Sequence, residues 1–293
     1  MRVPMRALLW SAYLVISLLL LVPIAGPAYP LVVGAGALLL ALFAAPRAFA
    51  WSPRIRDIAA LLAMYLTCVA LFYVAFQVVT VGSEMVLFVV FGAGLLLGVI
   101  GPLVHVVAVQ GRPLADLGLT RARLPMTLAL SVVLAVLQAA ITFPLVTFGA
   151  PDSWLPLLVL ALTVGFFEAI FFRGYMLAIL EPMLGVMPAV AVAALLYALY
   201  HAGYGMGSEE MLFLGGLGLV YTIAYALARN VFVLWPLLTP LGSFFANVRG
   251  GEIEMPMIAI LGFVDVLGLM AAAIYITWRW TRQRLRPTTA PAP

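Results

Sequence analysis

Charges, prolines and glycines cut this chain into ten apolar segments, at about 7–25, 30–46, 58–78, 85–109, 125–148, 153–182, 188–206, 211–228, 231–248 and 256–278. Most of these approach the roughly 20 residues that a helix needs to cross the hydrocarbon core of a bilayer. Inside a membrane the backbone must satisfy its own hydrogen bonds, which leaves helices or a closed barrel. Continuous apolar runs of this length, without two-residue alternation, select helices. The expected fold is therefore all-α, a polytopic transmembrane bundle of about ten spans (8–10). A composition that is 66% hydrophobic and 9% charged excludes a soluble globular domain, whose surface it could not cover.

The arginines give an orientation. With the N-terminus in the cytoplasm, all fifteen basic residues except Arg173 and Arg249 fall on the cytoplasmic side. Glu84, Asp152, Glu209, Glu210, Glu252 and Glu254 then collect on the other. This asymmetry is the expected signature of an N-in, C-in protein. Arginines in short membrane loops set topology, so the net charge of +4 is no argument for nucleic acid. The single cysteine, Cys68, lies in an apolar run and reads as a small buried hydrophobe. The longest polar connection, residues 111–124, separates a four-span region, 1–110, from a six-span core, 125–280. Residues 281–293 form a proline-rich tail expected to be disordered.

Nearly all the intramembrane polar residues lie in that core. Glu168 and Arg173 interrupt the sixth segment, and an ionisable group at this depth is by default a candidate functional residue. His201 closes the apolar run 191–200. The midpoint between 168 and 201 falls at a turn around Leu184-Gly185. Two antiparallel helices leaving that turn, each rising about 1.5 Å per residue, bring Glu168 and His201 to the same depth. Ser243 and Asn247 stand one helical turn apart on one face of a later segment. Carboxylate, imidazole and amide from three helices form a set able to hold and activate a water, with or without a divalent metal. Each also has a plainer reading: Glu168 as a partner for an arginine, His201 as a packing residue, and Ser243 and Asn247 as links between helices. His105, near the cytoplasmic end of its segment and without a carboxylate nearby in sequence, reads as interfacial.

The residues Glu168-Ala169-Ile170-Phe171-Phe172-Arg173-Gly174, Tyr197-Ala198-Leu199-Tyr200-His201 and Ser243-Phe244-Phe245-Ala246-Asn247 resemble three motifs of the CPBP family, E-E-x-x-x-R, F-x-x-x-H and H-x-x-x-N, in the family's order. This family comprises CAAX prenyl endopeptidases and bacteriocin-processing enzymes, which are glutamate-type intramembrane proteases. Leu234-Trp235-Pro236 and Asp116–Thr120 add to a resemblance that covers about residues 112–250. It implies Glu168 as the general base that activates water, with His201 and Asn247 binding a metal or stabilising the oxyanion. A metal site on His201, Glu168 and Asn247 would hold one divalent ion such as zinc. Substrates would be membrane-embedded or lipidated peptides, cleaved internally. The compact architecture and short loops point to a prokaryotic cytoplasmic membrane.

Two positions depart from the pattern. Ala169 replaces the second glutamate, which would have stood four residues before Arg173, so Arg173 needs another partner; Asp265, the acid of the last span, is the expected one. Ser243 replaces the third-motif histidine, which leaves a donor set poor for zinc. Tyr197, Ser243, Arg173 and Asp265 are therefore read as supporting residues. The alternative to a divergent endopeptidase is a catalytically impaired relative that acts as a binding, chaperone or immunity factor.

Overall fold

The computed structural model describes residues 5–24, 28–44, 53–79, 84–250 and 255–284. Arg2, Arg47, Glu252, Glu254, Arg286 and the rest of the expected tail fall outside them, although the last helix continues through Arg284. Eleven α-helices are described: α1 Met5–Leu19, α2 Ala28–Ala44, α3 Ile55–Tyr73, α4 Glu84–Pro102, α5 Leu124–Thr142, α6 Pro151–Glu168, α7 Met176–Leu184, α8 Val186–Tyr200, α9 Ser208–Ala228, α10 Leu238–Gly250 and α11 Ala259–Arg284. No strand occurs among the described residues.

Seven of the described spans are long and apolar enough to cross a membrane: Ile55–Val78, Met85–Val109, Leu124–Leu145, Pro151–Leu184, Val186–Tyr204, Ser208–Ala228 and Ala259–Gln283. The other three expected segments are realised as shorter helices. The first two become α1 and α2, of 15 and 17 residues. The ninth becomes α10, of only 13. It is short because its first third does not enter the helix. Asn230 caps a 3-10 turn by accepting the Phe232 N–H, and the helix begins only at Leu238.

Proline and glycine set the boundaries elsewhere. Pro151 occupies the first turn of α6, where its missing N–H costs nothing. Gly185, with φ of 79°, is the whole connection between α7 and α8, and this left-handed backbone favours a residue without Cβ. A π-helical turn, Ala169–Tyr175, joins α6 to α7 without a break, so that Pro151–Leu184 is one span of 34 residues. This span is the most enclosed of the seven, and α11 is the most exposed. Around it pack α8, α10 and α11, with α9 behind α8 and α2 behind α9. Glycines allow the close approaches: a Cβ on Gly218 of α9 would lie 2.5 Å from the Tyr197 ring on α8.

The connection between α4 and α5 is packed against the core rather than held away from it. Leu114 and Leu117 in its 3-10 turn are buried. The Leu117 carbonyl lies against Gly174 so closely that any side chain there would collide with it. On the other side Asn230 donates to the Thr120 and Ala122 carbonyls, and the Val231 N–H donates to Gly118.

Candidate active site

Every residue from Gly165 to Tyr175 is buried, because this stretch is surrounded by α3, α4, α8, α9 and α10. The π-helical turn begins directly after Glu168 and contains Arg173. Such turns widen the helix by one residue and recur at functional sites. Here the turn brings the Arg173 guanidinium back onto the residue five positions earlier. Nη1 donates to the Glu168 carbonyl at 3.3 Å and stands 3.8 Å from the carboxylate oxygen Oε2. Arg173 is completely buried, and its guanidinium carbon lies 4.1 Å from the centre of the Tyr197 ring. An aromatic face at that distance attracts a cation, more strongly where water is excluded. The Nε and Nη2 N–H groups have no hydrogen-bond partner among the described residues. Ala169 offers none, being a methyl group at the position where a carboxylate would have reached them.

Asp265, the expected partner, is exposed on α11 and forms no ion pair with Arg173. The correction is geometric: Asp265 lies between exposed Val264 and buried Val266, on the outward side of the least enclosed helix. Arg173 is balanced by Glu168 itself.

His201 terminates α8 and is buried. The hairpin folds at Gly185, so the two helices run back alongside each other, and one side chain links their polar residues. The Tyr200 hydroxyl donates to Glu168 Oε1, while the Tyr200 ring centre lies 4.1 Å from that of His201. The Tyr197 ring centre lies 5.0 Å from that of His201. His201 Nδ1 faces the Tyr197 carbonyl at 2.8 Å. A carbonyl only accepts, so Nδ1 carries the proton, and in the neutral ring Nε2 is left as an acceptor. Tyr204 and Phe172 complete an aromatic enclosure, with ring centres 5.5 and 4.7 Å from Tyr200.

The third motif is not part of this cluster. Pro240 packs on Gly165, and Phe244 packs on Leu157, Ala161 and Trp154, so α10 runs antiparallel to α6 and away from Glu168. Asn247 therefore lies level with the middle of α6, on the order of 15 Å from the level of Glu168 at 1.5 Å per residue. Ser243 lies one turn nearer. Both are half-buried, and neither hydrogen-bonds to Glu168 or His201. The late start of α10 produces this shift. Gln138 of α5 is buried beside α9 and α10, donating to the Leu238 carbonyl at 3.1 Å and accepting from the Tyr221 hydroxyl at 2.7 Å. Sequence reasoning passed over Tyr200, Tyr204, Tyr221 and Gln138. The available signal was the row Tyr197, Tyr200 and Tyr204 at helical spacing around His201.

Glu168 and His201 are joined by no third His, Cys, Asp or Glu as a metal-holding group among the described residues. No group of three or more His, Cys, Asp or Glu residues able to hold an ion occurs among the described residues. Glu168 is already engaged by Tyr200 and Arg173, and Asn247 lies at another level.

His105 is also repositioned relative to expectation. It is buried rather than interfacial, and its ring joins Asp57 of α3 to Tyr175 at the end of the π-helical turn.

Nothing among curated proteins or solved structures matches the chain. The Rce1-like family, described as type II CAAX prenyl endopeptidase Rce1-like, matches residues 150–239. That stretch is less than half of the chain, and it holds Glu168, Arg173, Tyr197, Tyr200 and His201 but not Ser243 or Asn247. With its seven apolar spans the chain is an integral membrane protein. Through residues 150–239 it is similar to the Rce1-like family.

Proposed function

We propose that the chain is an intramembrane endopeptidase that uses Glu168 as general base on a water held beside His201. The observation that supports this most is the buried link Glu168–Tyr200–His201, in which one tyrosine side chain touches both the carboxylate and the imidazole. A water there can give one hydrogen to Glu168 and direct the other to His201 Nε2. Glu168 takes the proton as the water oxygen bonds to the scissile carbonyl carbon. The carbon–nitrogen bond then breaks, the proton on Glu168 passes to the departing amine, and the second proton of the water follows from the new carboxyl group, leaving a carboxylate and an ammonium group. Arg173 balances the charge of Glu168, and its unpartnered N–H groups are donors for the oxyanion that forms. No step passes through a metal, and Asn247 has no role in this scheme.

The substrates we propose are membrane-embedded or lipidated peptide segments, since the site lies within apolar spans. We further propose an N-in, C-in arrangement in a prokaryotic cytoplasmic membrane, with α1, α2 and α10 completing the bundle of about ten. The test uses the full chain in liposomes with a mixture of membrane-anchored peptides. Cleavage by the native chain that is lost in Glu168→Gln supports the reading. Cleavage that persists in Glu168→Gln overturns the role given to Glu168, and a cellular effect of the chain that survives this substitution favours the binding-factor alternative.

A further inference from the structure

The π-helical turn that carries Arg173 is gripped at its far end by residues outside the Rce1-like segment. Tyr175, its last residue, is completely buried, and its hydroxyl meets His105 Nδ1 at 2.6 Å. The other ring nitrogen, Nε2, meets Asp57 Oδ1 at 3.1 Å. A carboxylate only accepts, so Nε2 carries the proton and Nδ1 accepts from Tyr175. Asp57 is fixed in turn by the Gln110 amide at 2.9 Å and by the Arg54 N–H at 2.7 Å. Immediately before Tyr175, Gly174 is pressed against the Leu117 carbonyl. Three residues after it, the Ala178 carbonyl accepts from Arg112 at 3.2 Å. Thus α3, α4 and the loop after α4 hold three points within five residues of one helical face.

We infer that Asp57, His105 and Tyr175 are positioning residues for the Glu168 site, so that the region before residue 111 is a working part of the catalytic assembly. The mechanism is mechanical and local. Arg173 reaches Glu168 only because the turn is π-helical, and the turn is held in that form where Tyr175 is tied to His105. Without this tie, relaxation of the turn to ordinary α-helical spacing rotates Arg173 relative to Glu168 by part of a turn. Removing one partner of a buried polar network also leaves the others unsatisfied, which amplifies the effect. The functional meaning of this role rests on the proposed reading of Glu168, but its measurement does not.

The experiment is infrared difference spectroscopy of the full chain in liposomes. The Glu168 carboxyl band is isolated by subtracting the spectrum of Glu168→Gln. Tyr175→Phe, which removes only a hydroxyl, and His105→Leu should each move that band, and the double variant should move it no further than the larger single effect. Unfolding midpoints establish that the variants are folded, and should His105→Leu fail to fold, Tyr175→Phe alone decides. A folded Tyr175→Phe with an unmoved band, or shifts that simply add, would overturn the inference. A chain with no peptidase activity at all would still give this result, so the two proposals fail separately.

Discussion

Replacing Arg173 by methionine removes the one charge that balances Glu168 among the described residues. The two groups stand 3.8 Å apart without a direct hydrogen bond between Nη1 and Oε2. At that separation, with an effective dielectric constant of about 20, their attraction is about 4 kcal/mol. The cation–π contact with Tyr197 adds about 1–2 kcal/mol, but it is lost whether or not Glu168 is charged and so cancels in a double-mutant cycle. The two unpartnered nitrogens of Arg173, Nε and Nη2, also disappear with the side chain, which lowers the total cost of Arg173→Met without changing the coupling. The cycle Glu168→Gln, Arg173→Met and both together, followed by reversible unfolding in mixed micelles, should therefore show a coupling of about 3 kcal/mol. A coupling below about 1 kcal/mol, the size found for exposed pairs, would refute the claim that Glu168 is the counter-charge of Arg173.

Other expectations follow from packing. Gly174→Ala should cost about 2 kcal/mol or more, because its Cβ has no room beside the Leu117 carbonyl. Gly268→Ala on the exposed side of α11, where a Cβ meets nothing, should be neutral or stabilising by up to about 1 kcal/mol; equal losses at both sites in thermal unfolding would contradict the packing described. Asp265→Asn should change stability by no more than about 0.5 kcal/mol, and a large loss would restore it as the partner of Arg173. Tyr200→Phe should lower peptide cleavage more than Asn247→Ala does, and the reverse order would return the third motif to the site.

The parts of this protein that could be read from its sequence are those governed by local counting. Apolar runs of membrane length dictate helices because the backbone has no other partner in hydrocarbon. The hairpin was legible because one glycine-marked turn fixes the relative height of everything on either side, and Gly185 is that turn. What escaped depends on departures from regular geometry and on distant pairs. The π-helical turn changes which residue faces Arg173, and nothing in Ala169–Tyr175 announces it. The position of Asn247 was misjudged because α10 starts at Leu238 rather than near residue 231, which displaces the whole face along α6. His105 seemed to lack a carboxylate because Asp57 is 48 residues away and arrives only through the packing of α3 on α4. Tyr200 was hidden for another reason: a tyrosine in a buried aromatic stripe usually packs, and only the structure shows its hydroxyl on Glu168.

The central claim is that Glu168 activates a water, and the most direct measurement follows that water's oxygen. The native chain and Glu168→Gln are incubated in liposomes with a membrane-anchored peptide in water enriched in oxygen-18, and the products are weighed by mass spectrometry. The account predicts new N-terminal-side fragments carrying one heavy oxygen in their fresh carboxylate with the native chain, and none with Glu168→Gln. Fragments that form equally with both proteins, or no fragments with the native chain across a broad set of anchored peptides, would contradict it.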